Sequence, residues 1–387
     1  MKYLRLVFFL VLCFTCQKAA AYDSVWVHRL LLRLEQLQQH GNSHFPPGMF
    51  PSYREYAKHT DRFRDDDNMF FTGLVVFTLR NLRPRLPAGD QELTDTLIAR
   101  ALPVLEKFRN RKGRPTYNFW QTDTLVVFPN SGWLNWFNES HALPDDMDDT
   151  AIGLLATAAD SSQARAVHQY MQGFANSPGK RINNTFPKYR DIPAYSVWFG
   201  KNFPVDFDLC VLSNVLYFVS AYHLPFSGPD SASVQLIDRV LTSKEHLTHP
   251  HYIAPHYSTT PIILYHLSRL MQLNPSLLAT HRPALIQQAT EAYLQSGNII
   301  EKAMLATSLR NWGTAEPAAP LVAIHGNPWQ VLEQNDFVFF IANMASMLPD
   351  TFKKLLGNWG IGRFNYYCPA YNLALVLEYA VNRPAGS

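Results

Sequence analysis

Two kinds of helical pattern alternate along the chain. In Ser24–Gln39, Gln91–Arg109, Ser162–Ala175, Ser231–Ser243 and Pro283–Ser296, apolar residues recur three and four apart, and the opposite face is charged or Gln-rich. Leu236, Ile237, Val240 and Leu241 show the spacing. It predicts helices that bury one stripe and wet the other. The second kind is apolar nearly all round: Met69–Leu82, Thr150–Ala159, Leu209–Tyr222, Pro261–Leu273, Phe337–Leu348 and Tyr371–Val381, with Ile299–Trp312 as an additional, less regular member. Such helices must be covered on every side. Strand signals are scarce.

An inner ring of the apolar helices inside an outer ring of the striped ones satisfies both patterns with short connections. The expectation is therefore an all-α chain, an α/α toroid of six or seven inner helices. An irregular helical bundle is the rival. The spacing between inner helices drifts, so the repetition is architectural rather than a strict sequence repeat. Residues 22–387 read as one domain. Two long segments interrupt it, 112–143 and 182–205, rich in Pro, Gly, Asn and aromatics such as Tyr117, Trp120, Trp133, Trp136, Tyr195 and Trp198. Loops of that length are usually functional or locally folded.

The first residues change the picture of charge and compartment. Lys2 and Arg5, the apolar run Leu6–Cys16 and the small residues Ala19-Ala20-Ala21 make an export signal, with the mature chain starting at Tyr22. The run is too short to span a bilayer as a permanent helix. The expected location is periplasmic or secreted; a lipid anchor on Cys16 is the weaker reading, because Thr15 is not the small residue such sites prefer. The full chain carries 34 basic and 31 acidic residues, and Lys2, Arg5 and Lys18 leave with the signal. The mature charge is balanced, and no basic cluster interleaved with aromatics turns up, which speaks against a nucleic-acid partner. At 47% hydrophobic and 13% aromatic residues the chain can bury a large core. Of the four cysteines, Cys13 and Cys16 belong to the signal. Cys210 and Cys368 either pair, which an oxidising compartment permits, or serve as two small buried hydrophobes.

Candidate chemistry lies in what precedes the apolar helices. In a toroid the inner helices all run the same way, so their N-termini share one end. Asp65-Asp66-Asp67-Asn68 precedes the first, Asp145-Asp146-Met147-Asp148-Asp149 opens the second, and Asp206-Phe207-Asp208 precedes the third. His256-Tyr257-Ser258 precedes the fourth and Asn335-Asp336 a later one. Aspartates are good N-caps, each worth roughly 0.3–1 kcal/mol against the helix dipole. Capping accounts for one or two acids per helix, not for four within five residues beside Asp66, Asp67, Asp206 and Asp208. So many carboxylates together must hold protons or a cation.

Asp146-Met147-Asp148-Asp149-Thr150-Ala151, continued by Ile152-Gly153-Leu154-Leu155, resembles the DxDDTA motif of class II terpene cyclases, the squalene-hopene and bicyclic diterpene cyclases. The resemblance covers about a dozen residues. It implies an α/α toroid of the terpenoid-cyclase and protein-prenyltransferase type, with the motif at the start of an inner helix. It also implies that Asp148, the middle acid, protonates an alkene, with Asp146 and Asp149 as its neighbours. That chemistry requires no cofactor. It needs a neutral carboxylic acid in a dry cavity, with aromatic faces to stabilise the carbocation. The same acids also fit the DDxxD pattern, Asp145-Asp146-x-x-Asp149, with which class I terpene synthases hold magnesium. With Asp206 and Asp208 they offer oxygen ligands for calcium.

Three functions follow. The first is a protonation-initiated isoprenoid cyclase or isomerase. The second is a carbohydrate-active (α/α)6 enzyme using paired carboxylates, Asp148 with Asp67 or Asp208. The third is a binding protein without catalysis. The partner is accordingly a small apolar or carbohydrate ligand. His256 and Tyr257, with Asn118, Trp120 and Asn130 from the first long segment and Trp198 from the second, are placed to reach the mouth. His266 and His223 read as core and boundary residues. Asn138-Glu139-Ser140 and Asn183-Asn184-Thr185 are glycosylation sequons.

Overall fold

The structure, a computed structural model, describes residues 23–41, 44–57, 64–122, 143–200, 203–323, 326–356, 360 and 362–382. The export signal with Cys13 and Cys16, and Trp133, Trp136, Asn130 and the sequon at Asn138, lie outside the described residues. The chain is mostly helical, with one small antiparallel sheet. Six helices are buried almost all round: α2 (Met69–Leu82), α4 (Met147–Thr157), α6 (Leu209–Ala221), α10 (Thr260–Leu273), α12 (Ile299–Asn311) and α15 (Pro369–Val381). Each packs on the next in that order, and α15 packs back on α2. Striped helices cover them from outside. α1 (Ser24–Leu37) lies on α15, α3 (Ala88–Leu105) on α2, α7 (Gly228–Thr242) on α6, and α11 (Arg282–Gln295) on α12. α5 (Ser161–Met171) follows α4 and buries Ala164, Val167, His168 and Met171.

The starts of these helices follow from local chemistry. Asn68, Asp146, Asp208 and Asn298 cap α2, α4, α6 and α12 by accepting backbone N–H bonds, and Ser227 with Asp230 makes a capping box on α7. Pro261 and Pro369 occupy the first turns of α10 and α15, where no N–H is needed.

One expectation is overturned. Phe337–Leu348 is not a helix; it holds strand β3 (Phe340–Asn343) and a 3-10 turn over Met344–Met347. Its side chains alternate between buried and half-buried from Phe337 to Asn343, a period of two. Aromatic and β-branched residues dominate the run, which suits a pleated surface rather than a helix. Asn335-Asp336 therefore precedes a strand segment, and Asn335 accepts from the Phe337 N–H. β3 pairs with β4 (Arg363–Tyr367), β4 with β1 (Tyr53–Tyr56), and β1 with β2 (Arg64–Asp65), all antiparallel. Tyr53 faces Tyr367 and Phe340 faces Tyr366, so the sheet joins the two ends of the chain. The Ile341 N–H donates 2.8 Å to the His256 carbonyl, tying the β3 edge to the segment that enters α10.

Among the described residues the long segments are ordered by polar contacts. Asp146 N–H donates to Tyr117 O, Met147 N–H to Val197 O, and Phe199 N–H to Asp145 O. Both segments are thereby pinned to the start of α4. Close approach sets one position: a Cβ on Gly153 would lie 2.9 Å from the Tyr117 ring. Gly153→Ala should therefore destabilise the protein by about 1–3 kcal/mol through overpacking. Urea unfolding measures it, and an unchanged midpoint would contradict the packing described.

Candidate functional site

The first turns of α2, α4 and α6, the segment before α10 and strand β3 line a small cavity of about 30 Å³. Its walls are Phe70, Phe119, Trp198, Phe340, Val197 and Val211, with Asp146, Asp148, Asp149 and His256 among them. All three acids are buried, at 6%, 5% and 1% exposure, so their charges are not solvated by bulk water.

Each acid of the motif has a different role. Asp145 lies outside α4, where its oxygens accept from Asn110, just before the first long segment, and from Thr116 and Asn118 within it. It braces that segment and does not line the cavity. Asp146 is the cap of α4 and accepts 2.8 Å from the Asp149 N–H. Its carboxyl also lies within hydrogen-bonding reach of the Asp149 carboxyl. Burial raises both: Asp146 to about 7, with the Asp149 hydrogen bond pulling down and the Asp148 charge pushing up, and Asp149 well above the carboxylate range, pushed further by the Asp146 charge. Such a pair shares a proton at neutral pH.

Asp148 is held from two sides. Asn214 of α6 donates 2.7 Å to its Oδ1, and the Tyr257 hydroxyl donates to its Oδ2. Behind Asn214, Arg269 of α10 donates 2.8 Å to the amide oxygen, which fixes the amide nitrogen toward Asp148. Arg269 is 6% exposed, and its guanidinium lies 4.8 Å from the Tyr265 ring and 5.4 Å from that of Phe77. Aromatic faces therefore bear a buried charge that no carboxylate contacts among the described residues. Burial raises Asp148 to about 6, with the Tyr257 and Asn214 hydrogen bonds and the Arg269 charge pulling the other way.

The remaining expected residues divide between lining and support. His256 lines the cavity. Its Nδ1 lies 3.2 Å from the Ile341 carbonyl, which can only accept, so Nδ1 carries the proton and Nε2 the lone pair. Burial lowers its pKa and keeps the ring neutral. Trp198 also lines the cavity, edge-on to His256 at 5.8 Å. Asp206 approaches His256 Nε2 only to 4.0 Å and accepts from Asn184 and Lys353. Asp208 caps α6 through the Cys210 and Val211 N–H groups and accepts 2.9 Å from His256 N–H. Burial and the Asp148 charge place it at about 7.

Four expected mouth residues lie elsewhere. Asp66 accepts from Asn68, Trp120 and Tyr366 and faces Arg54 at 3.4 Å, joining the sheet to α2; burial raises it to about 6. Trp120 is thereby a support for Asp66 rather than a wall. Asp67 is half-buried and accepts 2.7 Å from Gln121. Asn118 braces Asp145 and Leu143. Cys210 and Cys368 are both buried and free. His266 is a core residue, stacked on Phe339 and hydrogen-bonded to the Ile262 carbonyl. No group of His, Cys, Asp or Glu suited to a metal ion occurs among the described residues. No helix among them is long and apolar enough to cross a membrane.

Sequence reasoning missed Asn214, Arg269, Phe70, Phe119 and Phe340. A lone Arg in the apolar helix α10 was the one available signal. No protein-family profile matches this chain, and no curated protein matches it either.

The buried acids set a pH dependence. Asp66, Asp146, Asp148 and Asp208 titrate higher folded than unfolded, so the native state binds more protons between about pH 4, the unfolded carboxylate value, and about 7. Stability should fall as pH rises through that window, by roughly 1.4 kcal/mol for each pH unit of displacement of each group. Urea midpoints across the window measure it; a flat or rising profile would contradict the burial. Separately, Arg269→Met removes a cation that holds Asp148 down, so the Asp148 titration should move upward. Carboxyl NMR on aspartate-labelled protein reads this directly, and an unmoved titration would disconnect Arg269 from Asp148.

Proposed function

We propose that this chain is an exported α/α toroid protein that protonates a carbon–carbon double bond of a small isoprenoid in this cavity. The observation that carries the reading is the burial of all three carboxyls of Asp146-Met147-Asp148-Asp149 in the wall of one aromatic cavity. The closed packing order of the six inner helices supports the toroid. Lys2, Arg5 and the run Leu6–Cys16 support export.

The step itself is simple. The π electrons of the alkene take the proton of a carboxylic acid, leaving a carboxylate and a tertiary carbocation. A carboxyl that remains neutral at the working pH is needed, and burial beside other acids supplies it. By the resemblance to class II terpene cyclases the donor is Asp148, with Asp146 and Asp149 beside it. Phe70, Phe119 and Phe340 present ring faces and edges to the resulting cation. His256, neutral with a bare Nε2, is suited to accept a proton at the end. At about 30 Å³ the cavity is far smaller than the roughly 300 Å³ at which pockets for drug-sized ligands begin, so entry of an isoprenoid terminus requires its aromatic walls to part.

The carbohydrate reading has less support. Asp208 spends its oxygens on three backbone N–H groups, and Asp67 is bound to Gln121. Neither stands across an open groove from Asp148. A magnesium or calcium site draws no support from the described residues.

Asp148→Asn should lower turnover by at least about 100-fold, the lower end of general-acid contributions, while circular dichroism stays unchanged. The assay is deuterium incorporation from D2O into short polyisoprenoid alcohols, read by mass spectrometry. Retained incorporation in the folded variant would sink Asp148 as the acid, and none in the wild type would sink the reaction.

A further inference from the structure

One surface helix is built inside out. α14 (Asp350–Leu356) has seven residues and follows the 3-10 turn after β3. A helix against solvent turns its apolar side chains in and its charges out. Here Lys353 is 3% exposed, while Phe352 and Leu355 are 56% and 59% exposed. Residues three positions apart are neighbours on a helix surface, so these two form one apolar patch. Val25 and Leu294 are exposed as well, but neither has another exposed large apolar residue within four positions among the described residues. Single exposed residues need no explanation, whereas an adjacent pair marks a contact.

Lys353 holds the helix in this orientation. Its Nζ lies 3.4 Å from Asp206 Oδ1 and 4.8 Å from the Tyr252 ring, so turning the apolar face inward would break a buried ion pair. Around the apolar patch, charges are sorted by depth. Lys354 and Lys188 share the Phe186 ring, at 5.0 Å and 5.9 Å. Lys354 and Arg190 pair with Asp350, at 3.0 Å and 3.5 Å, and Lys188 with Glu245 at 2.7 Å. The cationic side chains are exposed at 33–48%, the two acids at 11–15%. Solvent therefore meets cations beside two apolar side chains, with the acids tucked beneath.

We propose that the outer face of α14 docks on a lipid bilayer bearing anionic headgroups. Phe352 and Leu355 would enter among the headgroups, with Lys354, Lys188 and Arg190 against the lipid phosphates. A protein partner suits the patch less: a stable protein interface buries roughly 800 Å² on each side, and even an aromatic side chain buries only about 150–250 Å². The contact is with the bilayer surface, since α14 is far short of the roughly 20 residues that span it. Behind the docked face lies the cavity. Asp206 meets Lys353 through one oxygen, and its other oxygen lies 4.0 Å from His256 in the cavity wall. Docking needs no turnover and stands apart from the reaction proposed above.

The full chain is tested with vesicles of phosphatidylcholine alone and with vesicles in which a quarter of the lipid is phosphatidylglycerol. Hydrogen exchange read by mass spectrometry reports on α14 directly, whatever the apolar run Leu6–Cys16 does. Amides of 350–356 and 186–190 should slow by about threefold or more with the anionic vesicles, as local opening becomes rarer, and by less with the neutral ones. Phe352→Ser with Leu355→Ser should remove the slowing on both. Lys188→Gln with Lys354→Gln should erase the preference for anionic lipid. Both variants change exposed side chains, and circular dichroism checks that each is folded. Unchanged exchange over 350–356 in the wild type overturns the proposal. So does slowing that survives the serine variant, or that glycerophosphoglycerol, the headgroup without its chains, produces alone. Any of these results would leave the D2O assay untouched, and the reverse holds as well.

Discussion

Everything at this site follows from where the buried helices begin. Each α-helix leaves its first backbone N–H groups without partners. Here α2, α4 and α6 start side by side inside the protein, where water cannot satisfy those groups. Asn68, Asp146 and Asp208 do so instead, and all three are buried. A buried cap is worth about 0.5–2 kcal/mol. Keeping an ionised aspartate out of water costs more than a surface cap does, and the expense appears as pKa values lifted toward neutrality. Capping and proton storage are thus two consequences of one arrangement.

Capping explains Asp146 and Asp208, but it does not explain Asp148 and Asp149. Both lie in the first turn of α4, two and three residues beyond the cap, with side chains on the cavity. A helix start needs neither for its stability. Burying them is tolerated because other elements answer each one. Asp148 draws donors from α6 and from the segment before α10, with a guanidinium behind. Asp149 draws on Asp146. These answers come from residues 66 to 121 positions away for Asp148 and from three positions away for Asp149. The long-range set fixes the geometry of one acid, while the local pair remains free to exchange its proton.

Much of the helical architecture was legible because its signals are local. Apolar periodicity and caps placed Met69–Leu82 at its observed bounds and most other helices within a few residues. The striped helices bury one face and the fully apolar ones are buried nearly all round, as their patterns require. Phe337–Leu348 misled because its half-buried positions are apolar too: Phe340 and Ala342 pack against the core, so the alternation carries no polar mark. β1 and β4 lie some three hundred residues apart and pair through backbone groups that sequence does not advertise. The acids were legible as a cluster. Their division of labour was not, because Asn214, Arg269 and Tyr257 meet Asp148 only through packing.

That division separates what the site does at rest from what it does with a ligand. Asp148 is held as an acceptor by two donors and a distant cation, so at neutral pH its anionic form is well served. The Asp146–Asp149 pair carries the proton, yet the orphaned Asp149 Oδ1 is the oxygen left without a partner on the cavity side. A proton that Asp148 delivers into the cavity must therefore first be drawn from that pair, its neighbour in the wall. Tyr257 is packed against Phe70, Phe340, Phe339 and His266, which leaves its hydroxyl little room to turn away. The rigid aromatic setting thus favours a fixed Asp148 and makes the acid pair the adjustable element, the part of the site that stores and resupplies the proton.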